Sequence, residues 1–413
     1  MASFNLTNFD AAMKHMYPYA KVENLVYKNN PAFAMIPKNT SFPGRNATYA
    51  VEYGLTTGRS ASFATAQNNR GGTKIEDFVV TRVKDYSIVS VDNETLLAAD
   101  GNEGSLLDVA KAKTDSALHA LARTMGRDIY RSGTGSIGQI HASPSLSNTS
   151  IELVAGHAIN FEVGMRLKAS ATDGSALYSG VLEVTAVDRD NDVLTTSIAG
   201  TTAIPSLSAD DFLYVEGDAA NGGSNIKLAG FDAWLPATVT SDSFFGVDRT
   251  LDSTRLGGQR ESFSTSMMDT IIKAGVKVAR EGGRPDALFM NPTDWAELAL
   301  DLEGRAAVAG SHNRRRYGAG EDSASFGFSS LSVATPTGMV ECYADHNCPI
   351  NVAYLLQLDT WEFKSLGSAP RMLDMDGLTG IRQANEDGVE YRWGYYGNLL
   401  CKAPGYNCRI ALA

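Results

Sequence analysis

No apolar run in this chain comes near the roughly 20 residues that a membrane span requires. The opening MASFNLTNFDAAMKHMYPYA lacks the basic-then-apolar layout of a signal peptide, so synthesis in a cytoplasm is expected. Positive charge is scarce too. Lys and Arg number 36 against 47 Asp and Glu, a net charge of −11, where a dedicated nucleic-acid reader is usually basic. That excludes free DNA binding as the main task, though not a surface that sits near DNA. Cysteine is limited to Cys342, Cys348, Cys401 and Cys408, whose C-x5-C and C-x6-C spacings miss the paired C-x2-C of zinc ribbons. His346 lies between the first two, which leaves a metal site open beside the simpler reading of reduced, half-buried thiols. There is no nucleophile–base pair, no paired acidic motif and no Walker loop, so neither catalysis nor a cofactor is expected. One glycine pattern, GTGSIG at 133–138, spells a dinucleotide loop. It follows a helix and precedes a Pro-Ser-rich stretch, the reverse of the strand-then-helix order that phosphate binding needs.

What is present is ordinary folding material: 43% hydrophobic and 20% charged residues. Residues 1–40 have no sustained period and are interrupted by Pro18, Pro31 and Pro37, which predicts an extended arm with a short helix near Asn8–His15. NATYAVEYG (46–54) and IEDFVVTRVKDYSIVSVDN (75–93) are strand-like, and the small, polar, Gly-punctuated stretch between them reads as a loop tip. Together they predict a hairpin too long and thin to bury its own faces, which therefore needs another surface to lie on. Next, Leu107, Ala110, Thr114, Leu118, Leu121, Met125 and Ile129 recur at helical spacing, the stripe of a helix of about 25 residues. Ser105 with Asp108 forms a capping-box-like start. The polar face carries Lys111, Lys113, Arg123, Arg127 and Arg131 against Asp108, Asp115 and Asp128. A solvated face with ion pairs and a contact with a polyanion are both open there.

From 140 to 225 the pattern changes to short strands at roughly ten-residue spacing (IELV, MRLKAS, SGVLEVTAVD, DVLTTS, FLYVEGD), bracketed by glycine-rich segments. This predicts a small all-β insertion. From 264 an α/β pattern begins: a helix over STSMMDTIIKAGVKVARE, a buried strand DALFM, and a second helix opened by Asn291 and Pro292 and stopped near Gly304. Residues 305–330 read as a loop. Its Arg314, Arg315 and Arg316 are either solvated or in an inter-subunit contact with a neighbour's carboxylates. NVAYLLQLDTWEF (351–363) and VEYRWGYYGNLL (389–400) read as strands, the latter with Val389, Tyr391, Trp393 and Tyr395 on one face.

The order of these parts resembles the major capsid proteins of tailed bacteriophages, a fold shared with encapsulins. The resemblance is carried chiefly by RPDALFMNPTDWAEL (284–298) and the hairpin-to-helix run 75–110, and it spans nearly the whole chain outside 140–225. It implies an α+β class with an N-terminal arm (1–40) and an extended hairpin loop with peripheral-domain strands (41–95). A spine helix (96–135), an inserted β domain (140–225) and an axial domain with returning peripheral strands (226–413) follow. It further implies a virion subunit that forms pentamers and hexamers of itself around double-stranded DNA, assembled in the bacterial host cytoplasm. Portal, scaffold and decoration proteins would be further partners, with no membrane, no cofactor and no enzymatic activity. In such shells the spine helix lies towards the interior, which would bring Lys111, Lys113, Arg123, Arg127 and Arg131 towards DNA. Too few residues precede the hairpin for a removable scaffolding segment, and no residue identifies a crosslinking partner for Lys74. An encapsulin-like compartment is the alternative, and a metal- or nucleotide-dependent enzyme a remote one.

Overall fold

A computed structural model describes residues 30–42, 44–92, 106–223, 225–308, 331–373, 380–384 and 386–413. The arm's expected helix near Asn8–His15, the cap at Ser105 and the Arg314–Arg316 run all lie outside the described residues. The chain is a mixed α+β structure with few helices and many strands.

One strand, Gly388–Cys401, organises the first sheet. Val83–Asp92 pairs antiparallel along one side of it, and Trp361–Ser365, Arg371–Met372 and Ile381–Arg382 pair along the other. Lys38–Asn39 adds a parallel edge beside Phe363 and Lys364. Val389, Tyr391, Trp393 and Tyr395 share a face with Val83 and Val91, both buried. The helix Leu106–Asp128 runs beside these strands, with Leu121, Met125 and Ile129 of its apolar stripe in the main core.

A second six-stranded sheet forms the C-terminal half, in the order Gln259–Glu261, Cys408–Ala411, Val352–Leu356, Ala287–Met290, Gly338–Ala344, Leu331–Thr335. Helices Met267–Arg280 and Pro292–Val308 pack on it and share its core. The second helix starts where expected: Asn291 Oδ1 accepts the Thr293 amide at 3.0 Å. It runs past Gly304 to Val308, since a single glycine inside a helix costs only about 1 kcal/mol.

Strand membership differs from expectation at two places. Residues 351–363 are two strands in different sheets, divided by a 3-10 turn at Leu358–Thr360 whose start is tied by Leu358 N to Asp286 Oδ1 at 3.0 Å. The long return arm 75–93 divides in the same way. Lys74–Thr81 pairs with Asn46–Gly54, whereas Val83–Asp92 leaves the hairpin for the first sheet.

Residues 136–215 hold the third six-stranded sheet, in the order Ser136–Gln139, Phe212–Val215, Arg166–Ser170, Leu182–Asp188, Val193–Thr196, Ser150–Glu152. Its outer strands also meet: Ile140 bridges Leu153, and His141 N donates to Glu152 O at 3.0 Å. The sheet thus closes into a small barrel around its own core, including Ile137, Phe161, Leu167, Leu182 and Leu213. Closure leaves no open strand edge. The chain enters through Arg131–Gly135 and leaves through the segment after Val215, two passages bonded to each other by Ala220 N to Thr134 O (2.9 Å) and Lys227 N to Gly133 O (3.1 Å). Gly133 and Gly135 both take positive φ there, and a Cβ on Gly135 would collide with the Asp218 carbonyl. GTGSIG is therefore the entry passage of a two-passage neck, and its last three residues already belong to the first barrel strand.

Beside this neck, Lys227 is 4% exposed and forms ion pairs with Asp85 of the first sheet (2.8 Å) and Asp218 of the exit passage (2.9 Å). Burial raises the Asp85 carboxyl above its ordinary range, opposed by the Lys227 ammonium. Removing either partner would strand a buried charge, so the pair fixes where the barrel joins the body.

Candidate functional site

The most exposed ordered feature is the hairpin. Its base is part of the body: Phe78 and Val80 are fully buried and Val51 nearly so, and the Phe78 ring lies 5.2 Å from that of Trp234. Arg255 clamps the same region. Its Nη1 donates to Tyr53 O at 2.7 Å while its Nε pairs with Glu281 at 3.1 Å, joining the outgoing arm to the end of helix Met267–Arg280. Beyond that clamp no described residue outside the hairpin covers the ribbon. The tip is shaped locally: Thr57 Oγ1 donates to Asn69 O, and a six-residue helix, Phe63–Asn68, buries no residue. Leu55, Phe63 and Ile75 stand 74%, 78% and 54% exposed around it. A two-stranded ribbon with bare edges and an apolar end is a surface built to be covered.

The described end of the N-terminal arm is anchored near the C-terminal end of the long helix, where Asn30 meets Gly126. Pro31 and Ala32 are buried in the turn Pro31–Met35, and Phe33 packs edge-on to Phe363 at 5.1 Å. Asn347 Nδ2 donates to Asn30 Oδ1 at 3.1 Å and to Asp345 Oδ1 at 3.0 Å, and Tyr130 Oη donates to Asp345 Oδ2 at 2.9 Å. Burial raises the Asp345 carboxyl above its ordinary range, and these bonds oppose the shift. Gly126 is the residue over which the arm crosses, because any Cβ there would occupy the position of the Asn30 amide. No signal within the helical stripe foretold that contact.

The basic residues of the long helix have different fates. Arg123 reaches the barrel, bonding Glu162 and the Ile159 carbonyl, and Arg189 shares Glu162 at 3.0 Å. Arg127 is 7% exposed and paired with Asp128 at 3.0 Å. Arg131 lies in the neck, with its guanidinium pKa lowered by burial and by Arg127. These three therefore correct the expectation of one cationic face: the barrel, Asp128 and the neck take up their side chains. Lys111 and Lys113 are on the helix, but their side chains lie outside the described ones.

The four cysteines are free and buried, two in each of the larger cores. Burial pushes Cys342, Cys401 and Cys408 up to about 12. Among the described residues no group of His, Cys, Asp and Glu could hold a metal ion, and no described helix is long and apolar enough to cross a membrane.

No protein-family model matches the chain, and no curated protein sequence does. Solved structures do. The capsid asymmetric unit of cyanophage A-1(L) matches with a TM-score of 0.54 at 11% identity, over 98% of this chain and 99% of that one. The capsid of cyanophage P-SCSP1u gives 0.45 at 9% identity, over 95% and 91%. The holo-SrpI encapsulin complex of Synechococcus elongatus PCC 7942 gives 0.44 at 6%, over 100% and 96%. The first of these carries the assignment: the chain has the tailed-phage major capsid fold.

Proposed function

We propose that this protein is the shell-forming subunit of a tailed-phage head, a structural protein rather than an enzyme. It assembles with copies of itself into pentamers and hexamers of a closed icosahedral shell around double-stranded DNA. The observation that carries the reading is the projecting hairpin, bare along both edges beyond its base and apolar at its end, on a chain with a capsid fold over nearly its full length. The distal ribbon lies across a neighbouring copy, where covering Leu55, Phe63 and Ile75 contributes about 1.5–3 kcal/mol each.

Of the residues read as facing DNA, Lys111 and Lys113 remain the proposal, since Arg123 and Arg127 are ion-paired within the chain and Arg131 is buried at the neck. Their contact is to phosphate and independent of sequence. Portal, scaffold and decoration proteins are its further partners. Purified particles are expected to contain nuclease-protected double-stranded DNA. A Lys111→Glu/Lys113→Glu variant is expected to form intact shells with less retained DNA; particles filled with protein cargo and free of nucleic acid would instead identify a compartment shell.

A further inference from the structure

The first sheet has one face against the long helix and, among the described residues, one face open. On the open face, register places Lys84 beside Tyr396 and Ile88 beside Arg392, with Tyr86 between and Arg371 opposite Gly394. Tyr86 and Ile88 are 45% and 59% exposed, and the Tyr86 and Tyr396 rings meet edge-on at 6.0 Å. Lys84 Nζ lies 6.0 Å from the Tyr86 ring. Three cations share this face with two acids, Glu390, which pairs with Arg392, and Asp92 at the far end of the strand. Arginine, tyrosine and an exposed aliphatic on a flat sheet have the composition of a protein-binding centre.

The barrel has the opposite character. Residues 136–215 hold nine acidic and three basic residues, a net −6 of the chain's −11. On its outer surface Glu152 and Asp188 flank Val193 across three adjacent strands, and Asp190 stands in the turn beyond. All three acids are exposed. Arg189, the cation within that turn, is turned away to Glu162. Because the barrel has no open edge, a partner meets it through side chains, and charge decides which partner.

We propose that the open sheet face of one copy binds the acidic barrel of a second copy, with Lys84 and Arg392 meeting Glu152 and Asp190. This rests on the shell reading and adds to it a contact distinct from the hairpin. DNA is the weaker occupant, because Ile88 and Glu390 lie within the face and the cations are too few to follow a phosphate backbone.

Zero-length carbodiimide coupling of a mixture of light and heavy-isotope full-length chains tests the contact, whether or not shells close. The expected product is a mixed-isotope peptide pair joining Lys84 to Glu152 or Asp190. Lys84→Glu/Arg392→Glu and Glu152→Lys/Asp190→Lys are each expected to lower the yield of assembled copies about tenfold, as juxtaposed like charges do. The combined four-residue swap is expected to restore it. Exclusively same-chain coupling, or a swap that rescues nothing while each variant remains folded, would overturn the proposal. So would variants that assemble normally and lose only DNA. Absence of shells with the mixed coupling retained would count against the shell reading alone.

Discussion

At the scale of single residues, some of the perturbed groups sit at joints of the fold. His157 accepts the Gln139 amide on Nδ1 at 3.0 Å, tying the barrel's first strand to the turn before Ala158. Burial and the nearby Arg131 lower its pKa from 6.5 to about 3. A depressed folded-state pKa means that the stabilisation is complete above about pH 6.5 and is lost as pH falls towards 3. At pH 5 the loss is at most roughly 2 kcal/mol, given about 1.4 kcal/mol per unit and a half-buried ring. Amide exchange in the barrel, corrected for the intrinsic effect of pH, should show protection falling between pH 7 and 5. In His157→Asn, which keeps an acceptor without a titrating ring, the fall should vanish; an equal fall in both proteins would refute this role.

At the scale of elements, legibility followed locality. The long helix has a stripe that any reader of period 3.6 finds, and Met267–Arg280 and the start of Pro292–Val308 carry their own caps. The barrel strands beyond Ser150 lay within the expected runs, because alternation and turns are local. Ser136–Gln139 was hidden inside a glycine motif, and its pairing with Phe212–Val215 spans more than seventy residues. Sheet membership was hidden for the same reason. Nothing local to Arg82 or to Leu358–Thr360 announces that a continuous β-rich run changes partners there. The Arg face of the helix misled because a helical wheel shows which residues share a side but not what later folds against it, here Glu162 and the neck. The hairpin supports a sharper test. Replacing 55–73 by a short turn removes no buried residue, so the subunit should keep its unfolding midpoint and lose assembly. Assembly at wild-type yield would contradict the role given to the ribbon.

At the scale of the whole molecule, three bodies of structure meet around one long helix. The first sheet lies along it, the C-terminal sheet meets it through Tyr130 and Asp345, and the barrel hangs from its end by a neck. The barrel has its own core, whereas the first sheet and one face of the C-terminal sheet share the main one. On the proposals above, the ribbon and the open sheet face are met by copies of the same chain. A subunit of this design should be poorly soluble as a monomer and stable when its ribbon is covered. The most direct measurement is electron microscopy of the high-molecular-weight fraction from cells expressing the full chain, alone and with candidate scaffolds. Closed shells of uniform diameter are the predicted result; a chain that remains a small, well-folded monomer under every such condition would contradict the account.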